Sequence, residues 1–238
     1  MTSILVTGGT GALGRPTVEH LRDAGHSVRV LGRKTGAGLT TGDLTTGAGV
    51  RKAVEGADLI FHLATGLGRR DVHQARTLLA AAPATHIVFT SIVGVDRIPL
   101  AYYRAKLEVE RLLAAREAPS TILRVTQFYN LLDRIFSLKI PFVIAPAVTL
   151  QPIAVEDVAR RLTELAAQPL NGRAPDIGGP DQTPVVDLAR EWAAARGSRR
   201  PIARLRLPGQ TFAGYRGGAA LVDGPPYGST TFADYLAS

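Results

Sequence analysis

Short apolar runs alternate along residues 1–128 with segments whose apolar residues recur at helical spacing. The runs are too short for ordinary helices and too uniformly apolar for a solvated face, which is typical of parallel strands buried on both sides. They predict strands at 3–6, 27–33, 57–65, 86–94 and 121–128. Strands that alternate with helices predict an α/β fold, a Rossmann-type doubly wound parallel sheet.

The intervening segments predict helices. Leu13, Val18 and Leu21 lie near one helical face, Pro16 suits a first turn, and Gly25 is a natural stop. Further helices are predicted in "VRKAVEG", near 71–82 and over about 102–116.

The alternation weakens after residue 130. An extended stretch in "KIPFVIAPAVTL" precedes a helix on which Val158, Leu162 and Leu165 share a face. The segment "APDIGG" predicts a short strand, and "TPVVDLAREWAAARG" predicts another helix. Since open α/β sheets bind ligands beyond the carboxyl ends of their strands, we expect a single domain over 1–238, in which about 130–152 and 175–238 form a small C-terminal substrate-binding lobe.

A glycine pattern lies between the first predicted strand and the first predicted helix. Gly8, Gly11 and Gly14 permit a tight turn, a close approach of backbone to a pyrophosphate, and packing of the helix on the sheet. The helix N-terminus adds free N–H groups and a positive dipole end for the phosphates. The loop therefore predicts a dinucleotide-binding site formed by Gly8, Thr10, Gly11, Ala12, Leu13 and Gly14.

The end of the second predicted strand indicates which dinucleotide is bound. An acidic residue there would bind the adenine ribose hydroxyls and favour NAD, but this chain has Gly32, Arg33 and Lys34. A guanidinium can hold a 2′-phosphate through charge-assisted hydrogen bonds, and Arg15 is a further candidate. We therefore expect NADP as cofactor, with NADPH preferred over NADH.

The stretch "PLAYYRAKLEVE" at 99–110 carries a candidate catalytic pair. Tyr102 and Lys106 are four positions apart and share one face of the predicted helix, where a lysine cation can lower the pKa of a phenol. Tyr103 points about 100° away on a helix and is the weaker candidate. The alternative is that Tyr102 packs and Lys106 only holds a ribose.

Composition and charge narrow the remaining classes of function. Hydrophobic residues make up 45% and charged residues 20% of the 238 residues, as expected for a globular protein with a sizeable core. The net charge of +8 raises nucleic-acid binding as an alternative, but most arginines are scattered and the densest basic stretch lacks interleaved aromatics, so no nucleic acid is expected. The five histidines show no paired metal-ligand spacing and there are no cysteines, so no metal is expected.

No membrane association is expected either. The longest largely apolar stretch, 140–150, is shorter than a membrane span, and the start lacks the basic region of a signal peptide. With no cysteines, a cytoplasmic location is the expectation.

Six segments together are similar to a known family. They are "TGGTGALGRPTVEHL", "GRKTGAGLTTGDL", "GADLIFHLAT", "TSIVGVD", "YYRAKLEVE" and "ILRVTQFYN", in an order and spacing that resemble the atypical short-chain dehydrogenase/reductases of the NmrA-like type over most of 1–165. The resemblance implies that Asp43 and Leu44 flank the adenine, and that Ala64 and Thr65 line the nicotinamide ribose. The segment after Arg124 would pass beneath the nicotinamide.

The resemblance also implies catalytic roles for Ser91, Tyr102 and Lys106. The Ser and Tyr hydroxyls would bind the substrate carbonyl oxygen, while the Lys would bind the ribose and lower the Tyr pKa. Eleven positions separate Ser91 from Tyr102, fewer than the family usually has. His62 and Asp157 are interpreted as a strand-end residue and a helix-start residue.

The expected function is that of an NADP-dependent reductase of a carbonyl or polarised double bond in a small apolar molecule of the quinone, ketone or enone type. One alternative is a non-catalytic NADP(H)-sensing regulatory protein of the NmrA-like type. A second is an isomerase or epimerase that uses tightly bound cofactor. The sequence leaves the substrate open, and also the choice between monomer and homodimer.

Overall fold

The computed structural model describes residues 1–34, 36, 38–66 and 68–238. Its central element is a seven-stranded parallel sheet. The strands are β1 (Ser3–Thr7), β2 (Ser27–Gly32), β3 (Leu39–Thr41), β4 (Leu59–His62), β5 (His86–Ile92), β6 (Ser120–Val125) and β9 (Gly172–Arg173).

The order of these strands is β3-β2-β1-β4-β5-β6-β9, so the chain moves outward from β1 in one direction and then in the other. The order reverses between β1 and β4, where Thr7 pairs with His62 on one side and with Leu31 on the other. Ligands of open α/β sheets bind at this switch point. The predicted Rossmann-type doubly wound sheet is confirmed.

Helices connect the strands and cover the sheet, because its central strands β1, β4 and β5 are buried on both faces. Nine lie within the described residues. They are α1 (Gly14–Asp23), α2 (Val50–Val54), α3 (Arg69–Ala81), α4 (Ala101–Ala114), α5 (Tyr129–Phe136), α6 (Val155–Ala167), α7 (Val185–Ala195), α8 (Gln210–Arg216) and α9 (Phe232–Ala237).

Two further sheets have two strands each. β7 (Val143–Pro146) pairs in parallel with β11 (Ile202–Leu205), and β8 (Thr149–Leu150) pairs antiparallel with β10 (Thr183–Pro184). The predicted extended stretch at 139–150 therefore contains two short strands.

The strand predicted in "APDIGG" is wrong. The paired residues are Gly172 and Arg173, just before it, and Ile177 makes only an isolated bridge to Val125. A Cβ on Gly179 would overlap the carbonyl of Pro152, so Gly179 serves a close approach of two backbones and not a ladder.

The chain divides into two compact units. The first comprises Met1–Ser91, Ala101–Arg124 and Val158–Pro175, and its core packs against the sheet around Leu5, Ile60 and Phe89. The second comprises Ile92–Leu100, Val125–Asp157 and Asp176–Ser238. Its core is partly aromatic and is built on α5, α7 and α9. No described helix is both long enough and apolar enough to cross a membrane.

Candidate active site

The glycine loop follows β1 directly and leads into α1. Gly8 has a positive φ of 73°, and a Cβ there would lie 2.6 Å from the backbone nitrogen of Ala64. A Cβ on Gly14 would overlap the carbonyl oxygen of Gly8, whereas Gly11 is exposed. Since the N-cap residue Leu13 makes no side-chain capping bond, the first N–H groups of α1 have no side-chain partner at the cap. The predicted strand–turn–helix setting is confirmed.

The other predicted cofactor residues follow the neighbouring strands at the same edge of the sheet. Arg33 and Lys34 come directly after β2 and are exposed. Asp43 comes after β3, where its Oδ1 accepts the Thr45 N–H at 2.8 Å. Leu44 is 6% exposed and belongs to the core of the first unit, so its side chain packs inward. Arg15 donates to the carbonyl of Thr10 across the glycine loop at 3.1 Å.

The segment after β4 contains Ala64 and Thr65. The Ala64 N–H donates to the hydroxyl of Thr7 at 3.3 Å, which ties this segment to the end of β1. The Thr65 hydroxyl donates to the carboxylate of Asp71, with distances of 3.2 and 3.0 Å to its two oxygens. The loop between them includes residue 67, which lies outside the described residues.

Tyr102 and Lys106 lie side by side on α4, as predicted from their spacing. The Lys106 Nζ is 5.9 Å from the centroid of the Tyr102 ring and 4.6 Å from that of Phe89. It donates to the carbonyl of Thr90 at 3.4 Å and lies 3.9 Å from Asp71 Oδ2. Tyr102 is half-buried, and its hydroxyl lies 3.4 Å from Thr65 Oγ1.

The electrostatics of the pair differ from the expectation. Burial raises the pKa of Tyr102, and the negative charge of Asp71 adds to the increase. Burial lowers the pKa of Lys106, and the nearby carboxylates of Asp71 and Glu110 oppose that change. The expected lowering of the Tyr102 pKa is therefore absent from the chain by itself, because desolvation dominates.

Ser91 and Tyr103 have different surroundings. Ser91 is buried at the end of β5, its Oγ has no hydrogen-bond partner, and it is therefore not bonded to Tyr102. The hydroxyl of its neighbour Thr90 is buried without a partner as well. A buried hydroxyl without a partner is costly. Since consecutive side chains of a strand point to opposite faces of the sheet, one bound polar group could satisfy only one of these two hydroxyls. Tyr103 is buried in the core.

His62 is the last residue of β4, as interpreted from the sequence. Its Nδ1 lies 2.8 Å from the hydroxyl of Thr7, and its ring stacks on Phe89 with centroids 5.8 Å apart. Burial, assisted by the positive charge of Lys106, lowers the His62 pKa to about 3. The imidazole is therefore neutral at neutral pH.

Asp157 belongs to the first turn of α6, which confirms its interpretation as a helix-start residue. In the second unit its Oδ2 accepts the backbone N–H groups of Ser229 and Thr230, each at 3.1 Å. The carboxylate thus fastens the segment before α9, a role that the sequence does not reveal.

Two features of the first unit were not predicted from the sequence. Asp71 is a first-turn acid of α3, 1% exposed, beside Lys106. Glu110 binds Arg124 in a bidentate pair, with distances of 2.9 and 2.7 Å, and fastens α4 to β6. A first-turn Asp is a common helix-start feature, but its partner is 35 positions away and no local pattern identifies it.

The residues at this edge of the sheet fit a dinucleotide. The glycine loop has no Cβ where the backbone must turn, no side chain caps the start of α1, and Ser91 carries a buried hydroxyl without a partner. Lys106 has donors left for a ribose, since one contact with Thr90 and one with Asp71 leave a third N–H. Within the described ranges, no group of three or more His, Cys, Asp or Glu could hold a metal ion.

Fold and site together define a Rossmann-type α/β protein with a candidate dinucleotide-binding site. The model of the NmrA-like family matches residues 1–174. The chain belongs to the NmrA-like family.

Among relatives by sequence is a (4-alkanoyl-5-oxo-2,5-dihydrofuran-3-yl)methyl phosphate reductase of Streptomyces griseus. It is 29% identical over 195 residues, which cover 75% of this chain and 68% of the relative. Another is the photosystem II assembly factor Ycf39 of Trieres chinensis, 26% identical over 93% of this chain and 79% of the relative.

Solved structures share the fold. An NADPH-dependent quinone oxidoreductase of Escherichia coli, in complex with NADPH, aligns with a TM-score of 0.81 over 98% of each chain at 19% identity. A nucleoside-diphosphate-sugar epimerase of Staphylococcus aureus aligns with a TM-score of 0.82 over 99% of this chain and 100% of that one, at 16% identity.

Proposed function

We propose that this protein is an NADPH-dependent reductase of a carbonyl or polarised double bond in a small apolar molecule of the quinone, ketone or enone type. The observation that carries the proposal is the pairing of Tyr102 with the buried Lys106 at the carboxyl edge of the sheet, the edge that also carries the glycine loop. A reductase is also among its relatives by sequence.

The chemistry follows from the groups present. When bound, NADPH would supply a hydride to the electrophilic carbon of the substrate. The hydroxyl of Tyr102 would donate its proton to the substrate oxygen, and Lys106 would stabilise the phenolate that remains. With an enone the product of this step is an enol, which then tautomerises to the ketone. The buried hydroxyl of Ser91 would donate a second hydrogen bond to the developing oxyanion. This contact requires a movement of the Ser91 side chain or of the residues that bury it.

The preference for NADP is part of the proposal. Arg33 and Lys34 place two exposed cations after β2, and no ion pair engages either of them within the described part of the chain. A 2′-phosphate would meet positive charge there, whereas the acid that binds the ribose hydroxyls of NAD is missing. That the second unit acts as the substrate lobe stays a prediction.

The test is NADPH consumption, followed at 340 nm, with a panel of quinones, ketones and enones. Turnover confined to one of these classes is the expected result, with the reduced product identified by mass. Binding of NADPH without turnover of any panel member would favour the non-catalytic sensor, for which the match to an assembly factor over 93% of this chain is the supporting observation.

The isomerase or epimerase alternative has its own readout. The purified protein would retain cofactor, convert a substrate into its isomer and show no net consumption of NADPH. Analysis of the purified protein for co-purified nucleotide, followed by product analysis without added NADPH, distinguishes this activity from reduction.

A further inference from the structure

Asp71 is a buried carboxylate that the chemistry above does not use. It lies in the first turn of α3 and is 1% exposed, in the same unit as Tyr102 and Lys106. Burial of a carboxylate is costly unless hydrogen bonds and an opposite charge compensate for it, so its partners indicate what it is for.

Asp71 contacts two residues that also lie next to Tyr102. Its oxygens accept hydrogen bonds from the Thr65 hydroxyl and the Gly66 N–H. Its Oδ2 lies 3.9 Å from the ammonium of Lys106. One carboxylate thus connects the segment after β4 with the lysine of α4.

The contact with Thr65 also fixes the direction of the next hydrogen bond. A Thr hydroxyl has one proton, and an ionised carboxylate can only accept, so the proton of Thr65 is given to Asp71. The Thr65 oxygen must then accept from the Tyr102 hydroxyl, which lies 3.4 Å away. In the chain by itself, the Tyr102 proton therefore points toward Thr65, and a substrate oxygen would compete for it.

Building on the proposed reductase function, we infer that Asp71 is a positioning residue of the reduction site, which orients the Tyr102 hydroxyl through Thr65 and holds the Lys106 ammonium by direct ion pairing. It touches neither substrate nor reacting atoms. Its two contacts set the direction of a proton donor and the charge of the neighbouring lysine.

The charges around Lys106 support this assignment. Asp71 faces it from α3, neutral His62 from β4, and Tyr102 and Glu110 from its own helix. Glu110 is already bound by Arg124. Burial lowers the pKa of Lys106, and Asp71 is the larger of the two charges that oppose this change. Without Asp71, the Lys106 ammonium would lose its proton at a lower pH than it does in the wild-type protein.

The first experiment follows Lys106 itself. The chain has four lysines, and Lys34, Lys52 and Lys139 are exposed, so ¹³Cε-labelled lysine should give a separate NMR resonance for Lys106, assigned by its loss in Lys106→Met. In Asp71→Asn, the titration midpoint of Lys106 should move to lower pH. The matched control is Asp58→Asn, which removes a carboxylate that accepts the Ser3 N–H at the opposite edge of the same sheet and should leave the midpoint in place. An unchanged midpoint in Asp71→Asn would overturn the ion-pairing role.

The second experiment tests the hydrogen-bonded connection through Thr65 separately from the ion pair with Lys106. Thr65→Val keeps the shape of the side chain and the charge of Asp71 but removes the hydroxyl, so kcat should fall by up to about 10²-fold while the Lys106 midpoint stays in place. In a Tyr102→Phe background the same substitution should have no further effect. A normal kcat in Thr65→Val, or fully additive losses in the double variant, would overturn the orienting role. This variant also keeps the inference testable if Asp71→Asn does not fold.

The two proposals fail in different ways. The lysine titration needs neither cofactor nor substrate, so its result concerns Asp71 alone. A wild-type protein that reduces no member of the substrate panel would contradict the reductase function, whereas an unshifted Lys106 midpoint would contradict the role of Asp71.

Discussion

At the scale of single residues, Tyr102 and Lys106 combine a proton donor and a cation on adjacent turns of one helix, but burial raises the pKa of Tyr102 in the chain by itself. A phenol with a raised pKa holds its proton at neutral pH and can donate it when the substrate oxygen gains charge. The arrangement thus suits reduction, in which the tyrosine is an acid, better than oxidation, which would need a phenolate.

Tyr102→Phe tests this role. The ring and its packing remain, so folding and NADPH affinity should be close to wild type, while kcat should fall by about 10²–10⁴-fold. The measurements are steady-state turnover and cofactor titration by fluorescence. Tyr103→Phe is the matched control, since Tyr103 lies in the core, and it should retain turnover. A Tyr102→Phe enzyme as fast as wild type would assign the proton donor elsewhere.

Arg33 determines the predicted choice between the two nicotinamide cofactors. One charge-assisted contact with a phosphate contributes about 1.5–3 kcal/mol, so Arg33→Ala should weaken NADPH about ten- to a hundred-fold and leave NADH nearly unchanged. Calorimetric titration of both cofactors measures the ratio, with exposed Arg111→Ala as control. A wild-type preference for NADH, or a preference that survives in Arg33→Ala, would show that Arg33 does not select the cofactor.

The sequence could predict these residues because their patterns are local. Tyr102 and Lys106 are one helical turn apart, and Arg33 directly follows a strand. Asp71 could not be predicted, because its contact with Lys106 exists only after α3 and α4 pack side by side on the sheet. Likewise, the effect of burial on the Tyr102 pKa depends on side chains that sequence spacing does not bring together.

At the scale of elements, two glycines of the glycine loop have different roles: Gly14 is needed for packing, and Gly11 would leave room for the phosphates. Gly14→Ala would push a methyl group into the carbonyl of Gly8, at a cost of about 1–3 kcal/mol or more in unfolding free energy. Gly11 is exposed, and a Cβ there would lie 3.2 Å from the carbonyl oxygen of Gly8. Gly11→Val should therefore lose less stability than Gly14→Ala, but it would place its side chain where the phosphates would lie.

The two variants should therefore separate stability from binding. Thermal unfolding should show a larger decrease in Tm for Gly14→Ala than for Gly11→Val, and NADPH titration should show a loss of affinity of more than about ten-fold for Gly11→Val. A folded Gly11→Val protein with unchanged NADPH affinity would refute the assignment of the loop to the pyrophosphate.

The elements of the first unit were predictable because each one follows from its own stretch of chain. Strands β1, β4 and β5 are buried on both faces, and α1 and α4 show helical spacing. The second unit was less predictable, because its elements are short and depend on long-range packing. Helix α9 has six residues and is fixed by the stacking of Phe232 and Tyr235 with Tyr129 of α5, more than 100 positions earlier.

At the scale of the whole molecule, His62 should make stability depend on pH. Its pKa is about 3 in the folded chain and 6.5 in its unperturbed state, so between these values the unfolded chain binds a proton that the folded chain excludes. Stability contributed by the neutral imidazole is therefore present above pH 6.5 and is lost as the pH falls toward 3. The loss between pH 7 and pH 5 should be about 2 kcal/mol.

Urea unfolding at several pH values measures this dependence. His62→Gln should be less stable at pH 7, because it loses the contacts with Thr7 and Phe89, but its unfolding free energy should fall less steeply on acidification. An equal slope in wild type and His62→Gln would assign the acid sensitivity to other groups.

The two compact units are interleaved along the chain, since Val158–Pro175 returns to the first unit after the chain has passed through part of the second. A ribosome releases the chain in order, so strand β6 emerges well before β9, the strand that covers its outer edge. During that interval, a nascent chain carries an open strand edge of the kind that recruits other chains. A gene fragment cut after Arg124 would make this condition permanent, because the first unit includes Val158–Pro175 and does not correspond to one continuous stretch of the chain.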